Sequence, residues 1–227
     1  MTSKELSPAN FINIHCHGLS SEKCIYSYNP GINDLAKDTL FSVGLHPWSI
    51  STNLIENYQL MSEVHQRAQD KNCLMIGESG LDRLRGASLD LQEEFMREHI
   101  KISEDLKKPL ILHNVRALDL ILKLQRQERP LQPWILHDFN GNDIQIAQIS
   151  NKNIYVSLGP TFMRENSKIS EFVAKVRTER ILFETDDDKN LNVKDVYQKY
   201  SDLTKISLEN LCVQVEKNFT NLFEASA

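Results

Sequence analysis

Aromatic side chains make up only 7% of this 227-residue sequence, and its 26 Lys and Arg are outnumbered by 31 Asp and Glu. The scarcity of aromatics argues against a groove lined with rings for stacking bases. A net charge of -5 leaves no global positive field to draw in a polyanion, so any nucleic-acid contact needs a local basic patch. Cysteine is also scarce. Cys16, Cys24, Cys73 and Cys212 are scattered and form no Cys-x-x-Cys pair. Cys16 and Cys73 fall in apolar strand-like runs, so the expectation is small buried thiols rather than disulfides. No apolar run is long enough to span a membrane, and Met1–Leu6 is polar where a secretory leader would be apolar. The expected setting is cytoplasmic. No Gly-rich phosphate loop follows the first strand, and no Gly-x-Ser-x-Gly elbow occurs. What remains is ordinary globular composition, 41% hydrophobic and 25% charged, with no linker or low-complexity stretch. A single domain over residues 1–227 is expected.

Short apolar runs alternate with amphipathic ones from end to end. Strands are expected at Phe11–His17, Cys24–Tyr28, Leu40–His46, Cys73–Leu81, Pro109–His113, Pro133–Phe139, Asn153–Leu158 and Ile181–Asp186. A polar stretch, Gly18–Lys23, separates the first two. Helices are expected at Ile32–Lys37, from an Asn53 cap to Asp70, and at Leu89–Lys107, Arg116–Arg126, Asp143–Asn151, Ser167–Arg177, Val193–Leu203 and Leu208–Phe223. The Asn53 helix would bury Leu54, Tyr58, Met61, Val64 and Ala68. Strand–helix alternation means a parallel sheet with helical crossovers, and continuous apolar strands mean that both sheet faces are covered. The expected fold is α/β: a TIM-type (β/α) barrel, compact for its class and open to distortion, with seven to eight parallel strands inside outer helices. A doubly wound open sheet is the alternative.

Five of the seven histidines, His15, His17, His46, His113 and His137, stand at or near strand C-termini, which in a barrel share one rim. His15 and His17 are two apart on one strand and therefore share a face, with Cys16 opposite. Glu78 and Asp186 follow apolar runs of their own, where a carboxylate is costly unless paired or cation-bound. Singly, a buried salt bridge explains Glu78, a helix cap explains Asp186, and a turn before Pro47 explains His46. Together, His15, His17, Glu78, His113, His137 and Asp186 form a metal-ligand set. Four imidazoles and two carboxylates exceed the needs of one ion with open positions and suit two bridged ions that activate a water.

The motifs carrying these residues resemble the TatD-type metal-dependent deoxyribonucleases, within the amidohydrolase-like barrels. They are His15-Cys16-His17, Gly44-Leu45-His46-Pro47, Ile76-Gly77-Glu78-Ser79-Gly80-Leu81-Asp82, Pro109–His113, His137-Asp138-Phe139-Asn140-Gly141 and Glu184-Thr185-Asp186. The resemblance spans nearly the whole chain and is in order. It implies that His15, His17, Glu78 and Asp186 hold one metal, and that Glu78, His113 and His137 hold a second, with Glu78 bridging. It gives Asp186 the attacking water and His46 the scissile phosphate or leaving group, so that Asp186, Glu78 and His46 are the expected catalytic residues. The sequence departs from the family pattern at Asn13 (usually Asp), at Gly18-Leu19-Ser20, at Arg116, one position late, and at Asp187-Asp188.

The resemblance implies DNA or RNA ends as substrate, with Arg83, Arg85, Arg116 and Arg164 as candidate phosphate contacts, since guanidinium matches phosphate geometry. Solvated loop charges are the alternative for each arginine. Hydrolysis of a small amide, ester or lactone at the same metals is the alternative function and fits the net acidity. A binding protein that has lost catalysis ranks last, because none of the six ligands is missing. The expected cofactor is two divalent metal ions, Mg2+ or Mn2+, with Zn2+ suited to so histidine-rich a shell. No obligate protein partner and no membrane partner is expected.

Overall fold

The computed structural model describes residues 11–18 and 24–224. Eight strands form one sheet in sequential order, every neighbouring pair parallel. They are β1 (Asn13–Cys16), β2 (Cys24–Tyr28), β3 (Phe41–Val43), β4 (Cys73–Asp82), β5 (Leu110–Val115), β6 (Trp134–Leu136), β7 (Ile154–Leu158) and β8 (Ile181–Phe183). The sheet curls until its first and last strands meet. The Asp186 and Thr185 amides donate to the His15 carbonyl, the His17 amide donates to the Asp186 carbonyl, and Cys16 bridges Asp186 in parallel sense. The result is a nearly closed TIM-type barrel. The seam explains Asn13: its Nδ2 donates to Thr185 Oγ1 at 2.8 Å and its Oδ1 accepts from the Thr185 amide at 3.2 Å. A neutral amide both donates and accepts across the gap, which a carboxylate cannot do.

Helices α1 (Leu54–Ala68), α2 (Leu89–Leu106), α3 (Leu118–Glu128), α4 (Asp143–Ile149), α5 (Pro160–Met163), α6 (Lys168–Phe172), α7 (Val193–Thr204) and α8 (Leu208–Glu224) fill the crossovers and follow the last strand. Their starts are chemically specified. Asn53 and Ser88 each accept a first-turn amide, and Asn142 with Gln145 makes a reciprocal capping box. Apolar side chains from strands and helices form one continuous core that includes Ile14, Phe41, Met75, Ile111, Trp134 and Phe183.

Four expectations are corrected. Ile32–Lys37 is not helical, because Asn33 folds the segment back: its Oδ1 accepts from the Asn29 amide and its Nδ2 donates to the Ser27 carbonyl, both at 2.9 Å. The buried face of α1 is rotated to Asn57, Met61, Val64 and Ala68, leaving Leu54 and Tyr58 exposed. Asn57 is inside because it pairs with the Ser51 backbone through both ends of its amide. The helix expected at Ser167–Arg177 stops at Phe172 and continues as a 3-10 turn, Val173–Lys175. Cys16 and Cys24 are joined as a disulfide across the adjacent strands β1 and β2, with Cα atoms 6.3 Å apart, whereas Cys73 and Cys212 are buried free thiols. The Leu19–Lys23 part of the polar stretch, and Met1–Leu6, lie outside the described residues.

Candidate metal centre

The C-terminal rim gathers all six residues expected as ligands around one carboxylate. Glu78 is 3% exposed and lies within β4, which runs four residues beyond it. Gly77 makes that position attainable: it has φ +111°, and a Cβ there would come within 2.2 Å of the Ile111 carbonyl oxygen. The two oxygens of Glu78 face different partners. Oε2 lies 3.3 Å from Nε2 of both His15 and His17. Oε1 lies 2.8 Å from His137 Nε2, 2.9 Å from His113 Nδ1 and 3.0 Å from His46 Nε2. Asp186, just past β8 and held at φ +49°, places Oδ1 3.4 Å from His15 and 3.2 Å from His17. A non-glycine residue in the left-handed region is uncommon, and Asp is among those that tolerate it. As β1 geometry requires, His15 and His17 point together and Cys16 points away.

The donor chemistry fits cations. His15, His17 and Glu78 form one ligand-competent cluster, His15, His137 and Asp186 a second, and His46, Glu78 and His113 a third, each with its ligand atoms within 4.8 Å of one another. His15 is fully buried, and its Nε2 lies between Glu78 Oε2 at 3.3 Å and Asp186 Oδ1 at 3.4 Å without hydrogen-bond geometry to either among the described residues. A ring nitrogen aimed between two carboxylates in this way is placed as a metal ligand would be.

The protonation pattern agrees. Burial alone would lower the pKa of His15 and His17, but their contacts with Asp186 and Glu78 prevail and raise both, His17 to about 10. His137 is likewise raised against burial, by Glu78 and Glu184. Burial would raise the Glu78 and Asp186 carboxyls, yet the surrounding imidazoles hold both far below the usual range. His46 moves the other way, lowered by burial. Protons on imidazoles therefore balance the carboxylates, and a cation would displace them.

Three further side chains support the cluster, and the sequence reading assigned them no role. Glu184 Oε1 is 3.2 Å from His137 Nδ1 and accepts the Asp138 amide at 2.8 Å, which orients the ring. Asp82 Oδ2 is 3.2 Å from His113 Nε2 and accepts the Trp48 indole N–H at 2.7 Å. Trp48 itself stands at the mouth, its ring 4.8 Å from that of His46 and 5.4 Å from that of His113. Glu184 and Asp82 were visible in the quoted motifs; nothing in the sequence singled out Trp48.

The arginines divide. Arg83 is bound in a fork to Asp119 at 2.7 and 2.8 Å and also donates to the Arg116 carbonyl. Arg85 stacks 3.7 Å over the Trp48 ring, at the edge of the site. Arg116 and Arg164 are exposed. A cavity of about 490 Å³ opens over the cluster, with His17, His46, Trp48, Ile32 and Asp187 in its lining.

The sequence model of the "TatD related DNase" family matches residues 9–224. An uncharacterized metal-dependent hydrolase of Buchnera aphidicola is 31% identical over 203 residues, covering 82% of this chain and 75% of that one. A protein of Schizosaccharomyces pombe named Deoxyribonuclease Tat-D is 25% identical over 156 residues, covering 64% of this chain and 50% of its own. The fold superimposes on the crystal structure of YJJV, a TatD homologue of Escherichia coli, with a TM-score of 0.82 at 20% identity, over 95% of this chain and 98% of that one. With barrel, rim cluster and sequence in agreement, this chain belongs to the TatD-related family of metal-dependent hydrolases.

Proposed function

We propose that the protein hydrolyses phosphodiester bonds at the ends of DNA or RNA, using two divalent cations, Mg2+ or Mn2+, with Zn2+ as the alternative. The observation that carries this reading is the division of Glu78, whose two oxygens face separate sets of imidazoles. His15, His17 and Asp186 with Glu78 Oε2 would hold one cation; His113 and His137 with Oε1 would hold the other. Cations bound there supply charge to the phosphoryl oxygens and bring the pKa of a water towards neutrality. Asp186, kept ionised by its neighbours, accepts the proton of the attacking water. His46 has a defined tautomer: its Nδ1 accepts the Trp48 amide at 3.1 Å, so Nε2 carries the proton. That N–H faces Glu78 Oε1 at 3.0 Å; with a cation on that oxygen, His46 would be free to donate to a phosphoryl or leaving oxygen. Arg85 is the arginine best placed to meet a phosphate. The name of the fission-yeast relative supports nucleic acid as substrate. A second reading, hydrolysis of a small amide, ester or lactone, is favoured by Asp187 in the cavity wall, a charge that repels phosphate.

The test uses chelator-stripped protein, re-loaded with Mg2+ or Mn2+, and a single-stranded oligonucleotide labelled at one end, beside the His15→Ala variant. Metal-dependent stepwise shortening that disappears in the variant is the expected result. A metal-loaded protein that leaves the oligonucleotide intact but turns over an ester or lactone would transfer the assignment to the second reading.

A further inference from the structure

The cavity has two chemically different parts. One is the carboxylate–imidazole cluster. The other, around Trp48 and Ile32, offers apolar surface that phosphodiester hydrolysis alone does not need. Trp48 is 44% exposed and Ile32 68% exposed. Exposure of a lone Leu or Ile is unremarkable in a folded protein, but a tryptophan held rigidly at the mouth of a polar site is not.

Trp48 is held from two sides. Its indole N–H donates to Asp82, a residue only 3% exposed that also contacts His113, so the ring plane is tied to the candidate ligand shell. The loop after β4 is pressed against the segment preceding it: Gly86 has φ +90°, and a Cβ there would stand 2.5 Å from the Pro47 carbonyl oxygen. That loop brings the Arg85 guanidinium to 3.7 Å over the indole ring, so a base stacking on that face would displace the guanidinium. A pre-set ring loses little conformational freedom when a ligand stacks on it.

We propose that Trp48 is the stacking platform of a nucleobase subsite: it receives the base of the nucleotide whose phosphate lies at the carboxylate–imidazole cluster. The proposal rests on the phosphodiesterase reading for its choice of a base as the planar group. Stacking is indifferent to which base is presented, because every base has a π face. The subsite therefore selects nucleotide ends over bare sugar phosphates without reading sequence.

The test is made on binding, with metal-loaded protein, 2′-deoxyadenosine 5′-monophosphate and 2-deoxyribose 5-phosphate. Trp48 emission should be quenched by the nucleotide and not by the sugar phosphate, while Trp134, fully buried, supplies a constant background. By equilibrium dialysis the nucleotide should bind roughly ten- to hundredfold more tightly than the sugar phosphate. Trp48→Leu should abolish that preference, whatever it does to the affinity for sugar phosphate, and Trp48→Phe, which keeps a ring, should retain most of it. Equal binding of the two probes by the unaltered protein, or a preference that survives in Trp48→Leu, overturns the proposal. Cleavage does not enter this measurement. A protein that prefers the nucleotide yet leaves labelled DNA intact sinks the nuclease reading and keeps the subsite; one that cuts DNA without the preference sinks the subsite alone.

Discussion

Acidification should weaken this protein through a histidine outside the candidate site. His99 lies on α2, fully buried. Its Nδ1–H donates to the Phe95 carbonyl at 2.7 Å, and its Nε2 accepts the Leu45 amide at 2.9 Å. Protonation would turn Nε2 into a second donor facing a donor, in a place without water. Burial accordingly lowers the His99 pKa from 6.5 to about 4. Between those values the unfolded chain binds a proton that the folded one refuses, so stability is fully present above the unfolded pKa and falls with pH through this window. At about 1.4 kcal/mol per pH unit the loss is roughly 3 kcal/mol. Urea unfolding of chelator-treated wild type and His99→Leu, at several pH values from about 7.5 down to about 4, isolates the effect, because every other titrating group is common to both. Near neutrality the variant should be less stable by about 1–3 kcal/mol, having orphaned the Leu45 amide. As pH falls the gap should shrink by roughly 3 kcal/mol, to nothing or to a reversal. A gap that stays constant would refute the assignment of a neutral, acceptor Nε2. Leu45 immediately precedes His46, so the same bond fixes the backbone from which the proposed phosphoryl donor projects.

Three further outcomes are expected. Metal loading near pH 7 should release protons, because His17 has a pKa of about 10 without a cation; calorimetry in buffers of different ionisation enthalpy should show it, and affinity should fall as pH is lowered. Glu184→Gln should lower metal affinity or turnover roughly ten- to hundredfold by loosening His137, with the fold retained by circular dichroism; an unchanged binding isotherm and rate would remove Glu184 from the site. Under denaturing, non-reducing conditions two thiols should react, Cys73 and Cys212, and reduction should expose Cys16 and Cys24 as well. Breaking that bond should cost about 2–4 kcal/mol of stability, read by denaturant titration against Cys16→Ser.

The sequence announced the barrel because burial on both faces leaves short unbroken apolar runs: β2 occupies the expected Cys24–Tyr28, and β5 and β7 differ only at their ends. The cluster was equally legible, since histidines at strand ends need only the fold to converge. What stayed hidden depends on partners far along the chain. Asn57 reads as a solvated helix residue until it is seen holding the Ser51 backbone. Cys16 reads as a core thiol because spacing alone does not reveal that its strand lies beside the one that carries Cys24. Trp48 reads as one residue after a proline; only the fold brings Asp82, Arg85 and two histidines around it.

The seam has a consequence for assembly. Asn13 reaches Thr185 across 172 residues of sequence, and at the same junction His15 and His17 from one end of the barrel face Asp186 from the other. A cation held there, as proposed, would be gripped by both ends of the circuit and would work as a latch. Only a chain that has completed its last strand could close it, so hydrolytic competence would be withheld from partly built or partly opened forms. Once closed, the latch would oppose every opening that parts β1 from β8, by about 2.7 kcal/mol when free metal stands at a hundred times its dissociation constant.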